Sequence, residues 1–201
     1  MTSLATPQSV GRCGARRLLV AAVVSVCVPL PGAHLAATGD RSPAPEVTVR
    51  QEAGAYQVMA RFEVPQPPSV VLAVLTDYEQ IPRYMPDVRT SVVLERSAGR
   101  FVVEQEAVSQ FMMFSKKVHL VLDVTEGGES VRFVDRCGRS FKSYRGSWTV
   151  VPQGNGSSVT YELSATPAFE VPGFILKRLL KRDSGEMIGR LRTEFAARAN
   201  H

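Results

Sequence analysis

Cysteine is nearly absent from this chain, with three residues in 201, at positions 13, 27 and 137. Two of them fall in an N-terminal leader, so the rest of the chain holds the single thiol of Cys137. That excludes an internal disulfide framework, and no Cys/His set has the spacing of a zinc site. Histidine is equally scarce: His34 lies in the leader and His201 at the terminus, so no histidine pair is left for metal binding or acid–base work. The longest apolar run, Leu18 to Leu30, is thirteen residues long, short of the ~20 needed to span a bilayer. Glycine-rich phosphate loops, serine elbows, paired-carboxylate sites and nucleic-acid motifs are all missing. A surplus of one charge sign is missing too. The formal charge of +5 includes Arg12, Arg16 and Arg17 from a leader without acids, leaving 21 bases against 19 acids. Nothing in that balance calls for a nucleic-acid partner.

What is present is an ordinary globular composition, 44% hydrophobic and 21% charged, enough apolar material for one well-packed domain. Residues 1–37 read as an export signal. A basic stretch ends in Arg16-Arg17, the apolar run follows, Pro29, Pro31 and Gly32 break it, and Leu35-Ala36-Ala37 offers small residues for cleavage. The expectation is an exported protein, periplasmic or extracellular, with an uncleaved signal acting as membrane anchor as the alternative. Residues 38–46 are polar and proline-bearing, a linker, and 47–201 form the domain.

Apolar residues alternate at Tyr56, Val58, Ala60, Phe62 and Val64, the pattern of a half-buried strand. Ser69 can cap a short helix running to Leu75, and the proline-rich stretch after it allows only one or two helical turns. Further strands follow, separated by Gly-containing turns. Val88, Val92 and Leu94 are expected on one side of the first. Then come Phe101 to about Ser109, Val118 to Val124, Val131 to Asp135, Tyr144 to Val150, and Val159 to Ala165. Residues 172–198 (PGFILKRLLKRDSGEMIGRLRTEFAAR) close the chain. At about 100° per residue, Leu176, Leu179, Leu180, Met187, Leu191 and Phe195 share one side, with Ile188 at its edge. This predicts an α+β domain: about seven antiparallel strands, a small helical insertion after the first, and a long C-terminal helix laid across the sheet.

Order and motifs together resemble the START-like superfamily (SRPBCC, or helix-grip), and within it the polyketide cyclase/dehydrase and coenzyme Q-binding branch. The resemblance rests on Val74-Leu75-Thr76-Asp77-Tyr78-Glu79 through Ile81-Pro82-Arg83-Tyr84-Met85-Pro86, on Gly146-Ser147-Trp148 before a Gly-containing turn, and on Pro167-Ala168-Phe169-Glu170-Val171-Pro172 before the helix. It covers about residues 46–198 and implies a curved sheet gripping the helix around an apolar cavity. It also implies binding of a hydrophobic small molecule such as a lipid, isoprenoid or quinone, with no cofactor. Two alternatives stand beside this. One is an enzyme of aromatase/cyclase or dehydrase type, using a Tyr or Asp as acid–base on a polyketide-like substrate. The other is a ligand-free structural or interaction module.

The candidate cavity residues are Tyr84, Met85, Phe114, Phe133, Trp148, Tyr161, Phe169, Leu176, Leu180, Asp183 and Met187. Each aromatic alone reads as core, but in a fold of this kind core and binding wall are one face. Asp183 falls in the middle of the apolar stripe, where a carboxylate must be paired, hydrated or raised in pKa. An ion pair with a strand arginine is the plain expectation and a polar anchor for ligand the functional one. His119 shares a strand face with Lys117 and Asp123 and reads as a solvated histidine; Cys137 would become a nucleophile only with His119 beside it. Lys177, Arg178, Lys181 and Arg182 form a basic helix face, either solvated or in peripheral contact with an anionic membrane. Gly185 and Gly189 on that face admit either a close backbone neighbour or a local bend. No catalytic or metal-ligating residue stands out.

Overall fold

The computed structural model describes residues 45–111, 114–170 and 172–200. The expected export signal and the linker up to residue 44 lie outside the described residues, as do Val171 and the side chain of Phe114. Eight strands are present: β1 (Glu46–Glu52), β2 (Ala55–Val64), β3 (Val88–Ser97), β4 (Arg100–Phe111), β5 (Phe114–Gly127), β6 (Ser130–Asp135), β7 (Phe141–Gln153) and β8 (Gly156–Pro167). Helix α1 (Pro68–Leu75), a 3₁₀ turn (Tyr78–Gln80) and α2 (Ile81–Tyr84) follow β2, and α3 (Gly173–Arg198) ends the chain. The strands form one curved antiparallel sheet in the order β1-β2-β8-β7-β6-β5-β4-β3. The helical insertion therefore carries the chain from β2 to the far edge. Hairpins then bring it back until β8 pairs with β2.

β1 is the strand the sequence pattern misses. Its signal is two alternating residues, Val47 (buried) and Val49, and Glu46, assigned to the linker, already pairs with Arg61. Two further expectations are corrected. Helix α1 begins at Pro68 without a side-chain cap; a proline in the first turn lacks only an N–H that would have had no helical partner, so Ser69 is not its cap. On β3, Val92 and Leu94 are about half exposed, at 47% and 49%. Register shifts between Val88 and Thr90 and between Val93 and Glu95 invert the alternation, so that Ser91 is buried instead.

The inner face of the sheet is lined by Val58, Ala60 and Phe62 of β2, Val103 of β4, Leu120, Leu122 and Val124 of β5, Val131 and Phe133 of β6, Trp148 and Val150 of β7, and Val159, Tyr161 and Leu163 of β8, all buried in one cluster with Ile188, Leu191 and Phe195 of α3. Helix α3 packs over β1, β2 and α1. Its buried stripe runs Leu176, Ser184, Ile188, Leu191, Phe195, with Leu180 and Met187 partly buried against the core. Ser184, not Asp183, holds the centre of that stripe. Ile188 and Phe195 have no exposed surface; truncating such a phenylalanine to alanine costs about 3–5 kcal/mol.

The C-terminal half of α3 is tied down by charge. Arg190 reaches Asp87 at 2.6 Å, and Arg198 bridges Asp77 at 2.6 Å and Glu194 at 2.8 Å. The Arg192 guanidinium lies 5.3 Å from the centre of the Phe62 ring. Asp77 thus fastens the insertion to the end of the helix. A Cβ added at Gly185 or Gly189 would meet nothing within 4 Å, so neither glycine accommodates a neighbouring backbone.

Candidate functional site

Alternation along β6, β7 and β8, with a register irregularity between Phe141 and Ser143, places five aromatic rings together on the inner face. Trp148 stacks on its cross-strand partner Tyr161 with ring centres 4.3 Å apart. Tyr144 lies 4.9 Å from Phe141 and 5.9 Å from Phe133. Gly146 makes the cluster fit. It pairs with Phe133 across β6 and β7, and a Cβ there would come within 2.6 Å of Phe133 Cζ and overlap the Glu162 carbonyl oxygen. The ring therefore lies directly over the glycine, as a strand glycine permits.

Two hydroxyls sit within this apolar wall, those of Tyr144 and Tyr161, near enough for each to perturb the other's pKa. Burial pushes the Tyr144 phenol up to about 12, with the Asp135 charge adding to the effect, and burial pushes Tyr161 well above the ordinary phenol value. Both are neutral throughout the physiological range. Each phenol carries one O–H donor and spare lone pairs, which suit a polar atom on a bound molecule. Sequence periodicity marks Tyr144 as a strand residue but not as a site residue. The signal that could have found it is the inward parity it shares with Gly146 and Trp148.

The other candidates divide. Met85 is buried in the same cluster, and Leu180 and Met187 pack against it. Tyr84 is turned inward, its hydroxyl donating to the Val74 carbonyl at 3.1 Å, and burial holds its pKa well above the usual phenol value. Phe169 lies in the loop before α3 with the Lys116 ammonium 4.7 Å from its ring centre. Leu176 is buried near the start of α3. Phe114 begins β5, and its side chain lies outside the described residues.

Asp183 stands at the flank of α3, its side chain 39% exposed. It takes two hydrogen bonds from its neighbour Arg182 and one from Ser109 of β4 at 3.2 Å, so its partner is a helix arginine and not a strand arginine. Burial raises its pKa, and the Arg182 contacts oppose that without cancelling it. Arg182 is also 3.7 Å from Glu186. Lys177, Arg178 and Lys181 are exposed.

His119 is not the solvated histidine expected. Its side chain is 18% exposed, with Nε2 2.9 Å from Glu104 and Nδ1 3.7 Å from Cys137 Sγ. The loop after β6 brings the thiol there. Asp135 accepts hydrogen bonds from the backbone N–H groups of Val121, Cys137 and Gly138. Because the N–H groups of Cys137 and Gly138 are committed to that carboxylate, neither is left to hold an oxyanion, which acyl-transfer chemistry at the thiol would require. His119 also has the opposite strand parity to buried Leu120 and Leu122, which puts the group on the outer side of the sheet, away from the aromatic wall.

A cleft of 440 Å³ lies between α1 (Ser69, Leu72, Ala73, Thr76) and the turns at Gly99 and Glu126–Ser130. None of the candidate residues line it. Among the described residues no acid, His or Cys group could hold a metal ion, and no helix is long and apolar enough to cross a membrane.

Comparison with known proteins agrees with this architecture. The family model described as "Polyketide cyclase / dehydrase and lipid transport" matches residues 64–192, more than half of the chain. Among solved structures, TTHA0849 from Thermus thermophilus superposes with a TM-score of 0.60 at 24% identity, covering 70% of this chain and 97% of that one. The STAR-related lipid transfer protein from Xanthomonas axonopodis gives 0.59 at 17%, covering 77% and 99%. Zhui aromatase/cyclase from Streptomyces sp. R1128 gives 0.60 at 14%, covering 72% and 96%. At these identities the likeness is one of fold. A search of curated protein sequences finds no match.

Proposed function

The chain belongs to the polyketide cyclase/dehydrase and lipid transport family, and from that premise we propose that it binds a hydrophobic small molecule between the concave face of the sheet and α3. A lipid, isoprenoid or quinone is the class of ligand. The observation that carries this reading is the hydroxyl pair of Tyr144 and Tyr161, set among Phe133, Phe141 and Trp148. Burial of apolar ligand surface supplies affinity at about 25 cal/mol per Å². A phenol O–H of the pair orients a carbonyl or hydroxyl of the ligand. The polar anchor is therefore a tyrosine and not Asp183, whose oxygens are occupied by Arg182 and Ser109. A cyclase or dehydrase would need a base at the same wall. Both tyrosines hold their protons there, which favours binding over catalysis.

Trp148 is the single tryptophan of the chain and stacks on Tyr161, so its fluorescence reports directly on this wall. Residues 38–201 purified from a membrane-containing host are examined by native mass spectrometry and then titrated with lipid and quinone extracts. A stoichiometric co-purifying ligand, or a saturable Trp148 response at one equivalent, supports the reading. A clean apo mass with no Trp148 response to any extract refutes it and favours the ligand-free module. A bound compound that leaves with altered mass would instead support the cyclase or dehydrase reading. The proposal also places the protein outside the cytoplasm, on the strength of residues 1–37. Recovery of a form beginning near Thr38 from the exported fraction supports that, and a cytoplasmic protein retaining Met1 refutes it.

A further inference from the structure

The N-terminal half of α3 carries a side chain that the packing of the domain does not explain. Phe174 is 76% exposed, the most exposed of the large hydrophobic residues. At helical spacing of four and three, Phe174, Arg178 and Lys181 follow one line along the helix, and Lys177 flanks it. All three cations are exposed, and among the described residues none of them has an ion-pair partner. Residues 172–182 contain no Asp or Glu. Arg182 is set apart from this line by its contacts with Asp183 and Glu186.

Position along the helix makes the arrangement informative. The first turns of a helix favour acids, because the backbone dipole places about half a positive charge there. A merely solvated face would satisfy that preference. Here the first turn has no acid, and three cations crowd the segment after it, with Lys177 and Lys181 repelling each other at i,i+4 at a cost to helix stability. An aromatic ring stranded in water beside unpaired cations is the pattern that suits an interface with anionic headgroups above and acyl chains below.

We propose that this face of α3 docks onto an anionic lipid bilayer, with Phe174 entering the acyl boundary and Lys177, Arg178 and Lys181 lying at headgroup level. The inference rests on the hydrophobic-ligand reading for its purpose, since docking brings the ligand site to a membrane that can donate or accept the ligand. Its geometry stands without it.

The test is flotation of residues 38–201, which contain the compact unit Asp40–His201, with vesicles of phosphatidylcholine alone or with one third phosphatidylglycerol. Binding to the anionic vesicles only, weakened by added salt, is expected. Each of Lys177→Gln, Arg178→Gln and Lys181→Gln should weaken it about fivefold, and all three together about a hundredfold. Phe174→Ser should weaken it with little change in salt dependence. Arg182→Gln should change it least of the four cations. Folding of each variant is confirmed by its Trp148 emission. Absence of vesicle binding, equal binding to neutral vesicles, or full binding by the triple variant overturns the docking surface. Ligand uptake from detergent-free solution, followed at Trp148, is read separately. If uptake persists in the triple variant while flotation is lost, docking and ligand binding are two functions of two surfaces. If wild-type uptake fails while flotation is normal, the ligand reading falls and the docking surface stands.

Discussion

The same substitution should have opposite effects at two glycines. At Gly146, an alanine Cβ would lie 2.6 Å from Phe133 Cζ and 3.0 Å from Cε2, and it would overlap the Glu162 carbonyl oxygen. Neither neighbour can move freely. Glu162 belongs to β8, whose backbone is fixed by pairing with β2 and β7, and the Phe133 ring is confined by Tyr144. Gly146→Ala should therefore behave as an overpacked core, at a cost of about 1–3 kcal/mol, offset by about 0.4–1 kcal/mol from the stiffer unfolded chain. With a urea m-value of about 2 kcal/mol/M, the midpoint should fall by up to about 1 M. At Gly189 the added methyl meets open space inside a helix, and Gly189→Ala should stabilise by about 1 kcal/mol. Urea unfolding followed by Trp148 fluorescence measures both. Because the displaced ring carries Tyr144 with it, Gly146→Ala should also weaken the response to ligand. A Gly146→Ala midpoint equal to or above that of the wild type would refute the account of how Phe133 is placed.

Tyr161→Phe should keep the fold, with stability within about 1 kcal/mol of the wild type, while ligand affinity drops about tenfold; unchanged affinity by Trp148 titration would remove the tyrosine pair from the site. Asp135 is pushed up by burial but brought below its ordinary value by hydrogen bonds from Val121, Cys137 and Gly138. Its contribution is therefore present above the unfolded carboxylate range near pH 4 and lost as pH falls through the folded value. Asp135→Ala should cost about 2 kcal/mol at pH 7, with the gap to wild type narrowing below pH 4, and a gap independent of pH between 7 and 3 would contradict this. Arg198→Ala, which breaks the contacts to Asp77 and Glu194, should cost about 1 kcal/mol, since these side chains are about one-third exposed; thermal unfolding tests it.

What was legible in the sequence is what periodicity encodes. Alternation located β2 and β4 to β8 because each has several inward apolar residues in register, and the α3 pattern gave a helix within a residue of its observed ends. β1 has only Val47 and Val49 to announce it, and its pairing with β2 is a non-local fact. The inversion on β3 comes from two register irregularities that no alternation rule contains. At α3, a fixed angular step put Asp183 in the buried stripe. The observed stripe advances by four residues from Leu176 to Ile188 through Leu180 and Ser184, and so drifts round the helix and leaves Asp183 on its flank. The meeting of Cys137 with His119 depends on a loop folding back along β5, and the tyrosine pair depends on the register of β7 with β8. Neither can be read one strand at a time.

The two proposals converge on one end of the molecule. Tyr56 of β2, Ala165 of β8 and Tyr144 of β7 form a single row across the sheet, and Gly173, the first residue of α3, lies against the Tyr56 hydroxyl. The helix therefore starts at the end of the sheet where Tyr144 is found. Arg190, Arg192 and Arg198 bind its second half to Asp87, Phe62 and Asp77, and its first half meets the sheet through the buried Leu176 side chain and the hydrogen bond from Ser109 to Asp183. Phe174, Arg178 and Lys181 lie on that same first half. On the docking proposal, a bilayer that engages them lies beside the end of the sheet that holds Tyr144, which shortens the path of an apolar ligand between membrane and site.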